Sequence, residues 1–489
     1  MRKKAKRYAL SAAVFLLTIS LTSCSVISIN QDKWSGHIDS TAGTETVHAP
    51  DLTTAVTDAD TGKDVPLTPY EYTGKETAES LLAGINFSFD GGSVFIRSTG
   101  EREIKRMLTV EEGTDNTYSA AIYERLRMVE ETLGCKVHYT VTTLDEMMTD
   151  IAASIVLGDY YADMLAVPAG DMAQLARGGY LLNLYSLPFL DMEAEYFRSE
   201  TGELSAGNEA YGVISCATAD PDDMMCVFYD TEKVSDDLQS LVKSGNWTWD
   251  ALLKYAGTDG ISTDETEPEA GYIAELVTSS SGARFVSHER GVTPTVTLPD
   301  MAADAVTLCR RLIGESVFKT ADAASFGSGG STFRIGRLGD METLADSKVV
   351  WDVLPMPKLS AEQKHYSTPM PEPSLVMSVP AYTTNPQGAS ALIRAFAAAS
   401  YGYMRDAYLE YHMYNTVRRE STLSMIEIIY ENPYYEFSHV FGAAGDDIKK
   451  ATYALIPDAA VDAEADIAVL FDERREAADK ELSLIFPVG

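Results

Sequence analysis

The chain has 489 residues, and 73 acidic against 39 basic side chains give it a formal net charge of −34. This charge excludes a nucleic-acid partner, because phosphate binding needs a basic surface, and it favours solubility and self-repulsion. The length exceeds what one core usually organises, so at least two domains or lobes are expected.

The first 23 residues have the features of a secretory signal. Basic residues between Arg2 and Arg7 precede an apolar run from Tyr8 to Ile19, which is too short to span a bilayer comfortably. The following sequence, LTSC, ends at Cys24 and resembles the lipobox of bacterial lipoproteins. The resemblance implies a signal peptide over 1–23, lipidation of Cys24, and a location at the cell surface on the outer face of the cytoplasmic membrane. The alternative is an ordinary signal peptide with a chance cysteine.

The next segment, residues 24–88, is predicted to be a flexible tether. It is rich in Thr, Asp, Ser and Gly and has little periodic apolar content. Under the lipoprotein reading, the lipid anchor is the only contact with the membrane.

The folded body is predicted to begin with alternating strands and helices. The expected elements, in chain order, are a strand over 93–96, a helix over 116–133 ended by Gly134, the strand "CKVHYTV", a helix over 144–157, the strand "ADMLAVP" and the helix "GDMAQLARGG". This order is typical of an open, mainly parallel sheet, which binds ligands beyond the carboxyl ends of its strands. Ser98, Thr99 and Asp171 lie at those ends.

A family resemblance appears further along the chain, where a predicted strand over 211–214 and a polar crossing lead to the sequence "VFYDTEKVSD". This sequence resembles the signature of extracellular solute-binding proteins of ABC importers, family 1, a group that includes many sugar binders. The matching positions are Val227, Phe228, Tyr229, Asp230, Val234 and Asp236. The segments "NWTWDALL", "FGSGGSTFRIGRL" and "WDVLPMPK" resemble later parts of the same family, with Thr248 as a predicted helix N-cap.

The resemblance implies an α/β fold made of two lobes, a periplasmic-binding-protein-like clamp with hinge crossovers of the type II kind. Lobe one is expected to hold residues 89–214 and 331–363, and lobe two residues 215–330 and 364–489. The implied function is capture of a carbohydrate or oligosaccharide between the lobes by a monomer, followed by delivery to ABC permease subunits.

Candidate ligand contacts are expected at strand ends, at crossovers and among aromatic side chains. They are Ser98, Thr99, Asp171, Ser215, Asp220, Trp247, Tyr366 and Glu372. Each could instead be an ordinary loop or cap residue. Trp247 is the expected platform for the apolar face of a sugar, whereas Trp249 is expected to anchor the core.

Catalytic and metal-binding motifs are missing from the sequence. The seven histidines form no HExxH pair, and no GxSxG elbow or phosphate loop is present. We therefore expect no catalytic residue, metal or cofactor. The pairing of Cys135, Cys216, Cys226 and Cys309 stays open, because no spacing among them decides it. Alternative functions are binding of a peptide or other non-sugar solute, a sensory role, and a surface hydrolase or adhesin.

Overall fold

The computed structural model describes residues 56–57, 64–65, 73–108, 116–264, 270–315, 317–370, 375–417 and 419–487. The predicted signal peptide, Cys24, most of the predicted tether and Glu372 lie outside these ranges. Two β-sheets organise the described part of the chain. Their strands are β1 (Gly92–Ser98), β2 (Cys135–Val141), β3 (Met164–Pro168), β4 (Met225–Asp230), β5 (Ile261–Thr263), β6 (Phe318–Thr320), β7 (Phe333–Arg337), β8 (Trp351–Pro355) and β9 (Leu375–Ser378).

Helices surround these sheets. They are α1 (Gly74–Ala83), α2 (Glu101–Met107), α3 (Thr117–Leu133), α4 (Leu144–Leu157), α5 (Ala169–Arg177), α6 (Leu238–Lys243), α7 (Trp249–Ala256), α8 (Ala270–Ser280), α9 (Ala302–Glu315), α10 (Ala323–Gly327), α11 (Asp340–Leu344), α12 (Pro386–Ser400), α13 (Tyr403–Asn415), α14 (Glu420–Glu431), α15 (Phe437–Phe441), α16 (Asp446–Ala451), α17 (Leu455–Val461) and α18 (Ile467–Ile485). Two-residue strands also pair, namely Val56–Thr57 with Asp64–Val65, Ser205–Ala206 with Glu209–Ala210, Val286–Ser287 with Thr295–Val296, and Thr368–Pro369 with Pro433–Tyr434.

The first sheet confirms the predicted order of strands and helices. Its strand order is β9-β3-β1-β2, with β1 parallel to both β2 and β3. Local signals define the intervening helices. Asn116 caps α3 by accepting hydrogen bonds from the backbone N–H groups of Tyr118 and Ser119, and Gly134 ends this helix at a φ of 57°. Thr143 and Glu146 form a reciprocal capping box at the start of α4.

The second sheet contains the sequence that carries the family resemblance. Its order is β6-β5-β7-β4-β8, and β4 runs antiparallel to both β7 and β8. Every residue of β4 is buried, so both faces of this strand are covered. The described chain is therefore a mixed α/β protein with two separate main sheets, which confirms the predicted fold class.

The predicted division of the chain between two lobes needs correction. Strands β7 and β8 fall within residues 331–363, which were assigned to lobe one, yet both pair with β4 in the second sheet. Strand β9 falls within residues 364–489, which were assigned to lobe two, yet it pairs with β3. Helix α12 also packs in the core of the first sheet. Both neighbours of β4, the strands β7 and β8, therefore belong to the second sheet. The chain returns to the first sheet only after β8, with strand β9.

Two local predictions are also corrected. Helix α1 lies inside the predicted tether, where Ala78 and Leu82 are buried and the Gly74 N–H donates a hydrogen bond of 2.8 Å to Asp406 Oδ2. The predicted strand over 211–214 is reduced to a single bridge between Val213 and Met377. Glycine at 212 packs against Val376, and this close approach replaces a regular strand pairing.

Four cysteines lie in the described ranges. There, Cys135, Cys216, Cys226 and Cys309 are free thiols, which answers the question that the sequence left open. Across the same ranges, none of the helices combines the length and the apolar character that crossing a membrane requires.

The substitution Gly74→Ala tests whether α1 belongs to the folded body. A Cβ at this position would lie 2.3 Å from the backbone carbonyl carbon of Gly402, so one of the two backbones must shift. We expect the free energy of unfolding in urea to fall by about 1–3 kcal/mol. The control is Gly271→Ala in α8, where a Cβ meets open space and we expect no loss of stability. Equal stability of the two variants would contradict the placement of α1.

Candidate functional site

A crossing segment connects the two sheets at the carboxyl end of the first. It begins after Val213, whose N–H donates a hydrogen bond of 3.0 Å to the carbonyl of Met377 in β9, and it ends at β4. Midway, the carbonyl of Thr218 accepts a hydrogen bond of 3.2 Å from the N–H of Leu375. The segment is therefore held at the sheet edge where open α/β sheets bind their ligands.

The crossing segment carries three aspartates, at 220, 222 and 223. Asp220 caps the short 3-10 turn Pro221–Asp223 by accepting a hydrogen bond of 3.1 Å from the Asp222 N–H. Arg106 of α2 pairs with this turn, since its Nε lies 2.7 Å from Asp220 Oδ2 and its Nη2 also contacts Asp222. The guanidinium thus neutralises two neighbouring carboxylates at once.

Asp223 connects elements of the two sheets. Its side chain is only 5% exposed, and its Oδ1 lies 2.8 Å from Arg102 Nη2 and 2.8 Å from Arg337 Nη1. Arg102 belongs to α2, which follows the first sheet's β1, and Arg337 is the last residue of the second sheet's β7. A buried carboxylate requires such partners, so Asp223 fixes these two elements relative to each other. We call Arg102, Arg106, Arg337 and the three aspartates the arginine–aspartate cluster.

Tyrosine side chains line one side of this cluster. The hydroxyl of Tyr408, on α13, donates a hydrogen bond of 2.9 Å to Asp222 Oδ1. Its ring packs edge-to-face against Tyr118, with centroids 5.4 Å apart. Tyr408 is buried, whereas Tyr118 is only partly buried. Tyr118 is therefore an aromatic surface beside charged donors and acceptors.

The next residue along the same face of α13 is His412. Its ring lies 4.3 Å from that of Tyr408, and its Nδ1 is 3.0 Å from Thr416 Oγ1. Its Nε2 is buried without a hydrogen-bond partner among the described residues. Burial lowers the pKa of His412 to about 4, so the ring is neutral near pH 7.

The structure brings some of the predicted site residues together. Thr99 Oγ1 donates a hydrogen bond to Asp171 Oδ2, which joins the ends of β1 and β3 as expected. Asp220 belongs to the arginine–aspartate cluster. Ser98 and Ser215 are fully buried. The Ser98 hydroxyl hydrogen-bonds to the backbone of Gly100, and the Ser215 hydroxyl accepts a hydrogen bond from the Ala217 N–H. Both hydroxyls therefore stabilise the loops in which they lie.

The aromatic candidates lie elsewhere. Trp247 has no exposed surface, and its Nε1 donates a hydrogen bond of 2.8 Å to the carbonyl of Pro355. Its predicted role as a sugar platform is therefore corrected to that of a core residue, like Trp249. The Tyr366 hydroxyl donates to the carbonyl of Val242 at 2.9 Å, away from the cluster. Glu372 lies outside the described residues.

Comparison with known proteins gives structural likenesses only. No protein-family model matches the chain, and no curated protein matches it. The GacH receptor of Streptomyces glaucescens, solved unliganded and with acarbose, has 14% sequence identity and a TM-score of 0.47, over 81% of this chain and 99% of that one. A cyclo/maltodextrin-binding protein complexed with maltotetraose has 12% identity and a TM-score of 0.46, over 80% and 96%. A Thermus thermophilus maltotriose binding protein has 12% identity and a TM-score of 0.41, over 79% and 99%.

These TM-scores are too low for a binding site to be transferred from the solved structures. The candidate site is therefore defined by the residues of this chain alone. In the described ranges, no three His, Cys, Asp or Glu side chains are arranged to hold a metal ion. The sequence reading found Asp220 but missed Arg102, Arg106 and Tyr408. The dense acid sequence "DPDD" at the crossing was the available signal, since buried carboxylates need cationic partners.

The stability of Asp220→Asn relative to the wild type should depend on pH. Burial, aided by the Asp222 carboxylate and opposed by Arg106, raises the pKa of Asp220 to about 6 from 3.8. A raised folded-state pKa means that the wild type loses stability relative to the asparagine variant as pH rises from about 4 to 6, by about 2–3 kcal/mol. Urea unfolding across this range measures the difference.

The control is Asp237→Asn at the N-cap of α6. Hydrogen bonds from Ser240 lower the pKa of Asp237, so here the wild type gains on the variant as pH rises, and the gain is complete above the unfolded pKa. A pH-independent difference for Asp220→Asn would contradict the burial of this carboxyl group.

Proposed function

We propose that this chain is an extracellular solute-binding protein that captures a carbohydrate or oligosaccharide at the arginine–aspartate cluster and delivers it to an ABC importer. The observation that carries the proposal is the convergence, at one sheet edge, of carboxylates, guanidinium groups and a partly exposed tyrosine ring. The resemblance of "VFYDTEKVSD" to solute-binding proteins supports the same function. The proposal assigns no catalytic residue, metal or cofactor.

The chemistry of the cluster suits a sugar. A sugar hydroxyl both donates and accepts hydrogen bonds, so it can bind a carboxylate and a guanidinium group together. The C–H face of the ring can pack on an aromatic side chain, for which Tyr118 is placed. Because the ion pairs already hold Asp220, Asp222 and Asp223 in position, little side-chain freedom is lost when a solute binds.

The same arrangement explains how binding could be signalled. The cluster draws side chains from α2 after the first sheet, from the crossing segment and from β7 of the second sheet. A solute that contacts groups on both sides favours the conformation in which they are close together. ABC permease subunits would recognise that conformation, and a monomer suffices for this role.

The lipid anchor is part of the proposal. Cleavage before Cys24 and acylation of its sulfur would hold the protein at the outer face of the cytoplasmic membrane. More than one acyl chain is needed for stable anchoring, and a lipobox cysteine would carry two or three.

A thermal-shift screen against mono- and oligosaccharides, polyols and short peptides tests the ligand class. A ligand at 100 times its Kd stabilises the folded state by about 2.7 kcal/mol, which is a shift of several degrees. We expect an oligosaccharide series to give this shift, and Tyr118→Ala to weaken its binding by about tenfold through the loss of ring contact.

The matched control for this variant is Tyr255→Ala. Tyr255 is also half-buried, but its hydroxyl donates a hydrogen bond to Asp236. Asp236 follows the end of β4, whereas the crossing segment leads into the start of this strand. We expect this variant to leave affinity unchanged. A shift with peptides alone would replace the sugar by another solute, and wild-type affinity in Tyr118→Ala would place the site elsewhere.

Anchoring is tested by fractionating bacteria that express the full chain. We expect the wild type in the membrane fraction, with a mass that lacks the signal and includes the acyl chains, and Cys24→Ala without acyl chains. Cys216→Ser is the control that removes a different thiol and should stay with the membrane. A wild-type mass without acyl chains, or an acylated Cys24→Ala, would refute the anchor.

A further inference from the structure

A hairpin on the side of the second sheet contacts the part of the chain that belongs to the first. It comprises residues 285–297 and lies in the chain between β5 and β6 of the second sheet. Its two-residue strands, Val286–Ser287 and Thr295–Val296, pair antiparallel. The segment that it contacts, residues 203–208, comes shortly before the crossing segment. We call residues 285–297 the hairpin strap, and it shares no residue with the arginine–aspartate cluster.

Backbone and aromatic contacts hold the tip of the hairpin strap. The N–H of Gly291 donates a hydrogen bond of 2.7 Å to the carbonyl of Gly207, and Arg290 forms a β-bridge with the same glycine. The guanidinium carbon of Arg290 lies 4.2 Å from the ring centroid of Tyr185, a residue that packs against the core of the first sheet. The hairpin strap is therefore a second connection between the two sheets, separate from the arginine–aspartate cluster.

The imidazole ring of His288, in the hairpin strap, lies between two hydrogen-bond acceptors. Its Nδ1 is 3.1 Å from the backbone carbonyl oxygen of Ser205, and its Nε2 is 3.2 Å from Glu203 Oε2. Neither a carbonyl nor an ionised carboxylate can donate a hydrogen bond, so both ring nitrogens must carry a proton to make both contacts. This doubly protonated form is the imidazolium cation. In a neutral ring, one nitrogen would present a lone pair to an oxygen atom, and that contact would be lost.

The carboxyl group of Glu203 is held in its ionised form. Its Oε2 also accepts a hydrogen bond of 3.0 Å from the N–H of Phe437, and its Oε1 lies 3.5 Å from Arg284 Nη1. Burial opposes ionisation, but the groups of His288, Arg284 and Phe437 outweigh it and lower the pKa of Glu203. Glu203 is therefore a carboxylate at neutral pH, and it can only accept a hydrogen bond from His288.

The charged and titratable groups around His288 come from several elements. They belong to the segment before the crossing, to both sides of His288 in the sequence, and to the region of α15, namely Glu203, Arg284, Glu289, Arg290, Tyr434 and Glu436. The ring of Phe437 stacks on the imidazole, with centroids 4.8 Å apart. Burial disfavours the cation, but the hydrogen bond and the charge of Glu203, together with Glu436 and the Ser205 carbonyl, raise the pKa of His288 above 6.5.

We infer that the hairpin strap is a pH-sensitive connection between the two sheets, which is fastened while His288 is doubly protonated and loosened when the ring loses one proton. A histidine changes charge near neutral pH, and outside the cytoplasm, where the chain is proposed to act, the pH varies. Because the folded-state pKa is raised, the stabilisation is complete below pH 6.5 and is lost as the pH rises through the folded-state value. This switch does not depend on the identity of the solute.

The test is hydrogen–deuterium exchange of the full chain, measured in peptides from residues 285–297 at about pH 5.5 and about pH 8.5. The wild type is compared with His288→Gln at each pH, because the two proteins share the intrinsic effect of pH on exchange and the titration of Glu436. We expect the hairpin strap of the wild type to be protected about tenfold more than that of the variant at the lower pH, and less than about threefold more at the higher pH. An advantage that is equal at the two pH values, or larger at the higher one, would overturn the inference.

Two further variants assign the effect to the pair of His288 and Glu203. In Glu203→Gln the charge opposite the imidazole is removed while an acceptor remains, so we expect most of the protection at the lower pH to be lost. The control is His138→Gln, because His138 is exposed and its Nε2 lies 3.2 Å from the hydroxyl of Ser93 rather than from a carboxylate. We expect this variant to behave as the wild type. Full protection in Glu203→Gln, or its loss in His138→Gln, would contradict the inference.

An NMR titration of the wild type gives a measurement that does not require the His288 variant to be stable. The chain is labelled at the histidine rings, and the titration is followed at the resonance that responds to Glu203→Gln. We expect this resonance to titrate above pH 6.5 in the wild type and at a lower pH in Glu203→Gln. A histidine set in which no midpoint lies above 6.5, or none moves down in Glu203→Gln, would overturn the inference. Neither experiment uses a solute, so both results are independent of the proposed function.

Discussion

The burial of Asp223 between two arginines is the constraint on which the candidate site depends. A carboxylate removed from water must be paired, and this one is paired with Arg102 from the first sheet's side and Arg337 from the second's. The crossing segment therefore cannot shift without exposing or unpairing a charge. Arg106 adds a second connection through Asp220 and Asp222. The ends of β1 and β7 are thus placed by electrostatics as well as by packing.

The helix boundaries that were predicted correctly are set by local sequence signals. Asn116, Gly134 and the Thr143–Glu146 capping box act on residues three or four positions away, so they can be recognised in the chain alone. The strand order could not be obtained in this way. Whether β8 and β9 join one sheet or two depends on which strand edges remain open, and this is known only when the sheets have formed. The assignment of residues 331–363 was wrong for that reason.

The same distinction holds for the site. Thr99 and Asp171 were predicted because parallel strand ends meet at one edge, and Asp220 because it lies at a crossing. Arg102 and Tyr408 contact that crossing from 121 and 186 residues away, and each lies on a helix whose pattern gives no sign of a partner. Trp247 and Trp249 show the converse problem. Both are fully buried, so two aromatic residues of one motif, separated only by Thr248, could not be divided into core and ligand roles by sequence.

Charged groups along and beside the crossing segment are paired with groups of the opposite sign. In the arginine–aspartate cluster, guanidinium groups and carboxylates neutralise each other, and the neighbouring His412 is uncharged because burial lowers its pKa to about 4. A neutral polyhydroxyl solute matches such a surface, since it can bind both signs of charge without adding another. Beside Cys216, the buried guanidinium group of Arg198 is likewise accompanied by a carboxylate, since its Nε lies 3.6 Å from Glu200 Oε2. The three aspartates of the crossing segment are thus neutralised locally by arginines in a strongly acidic protein.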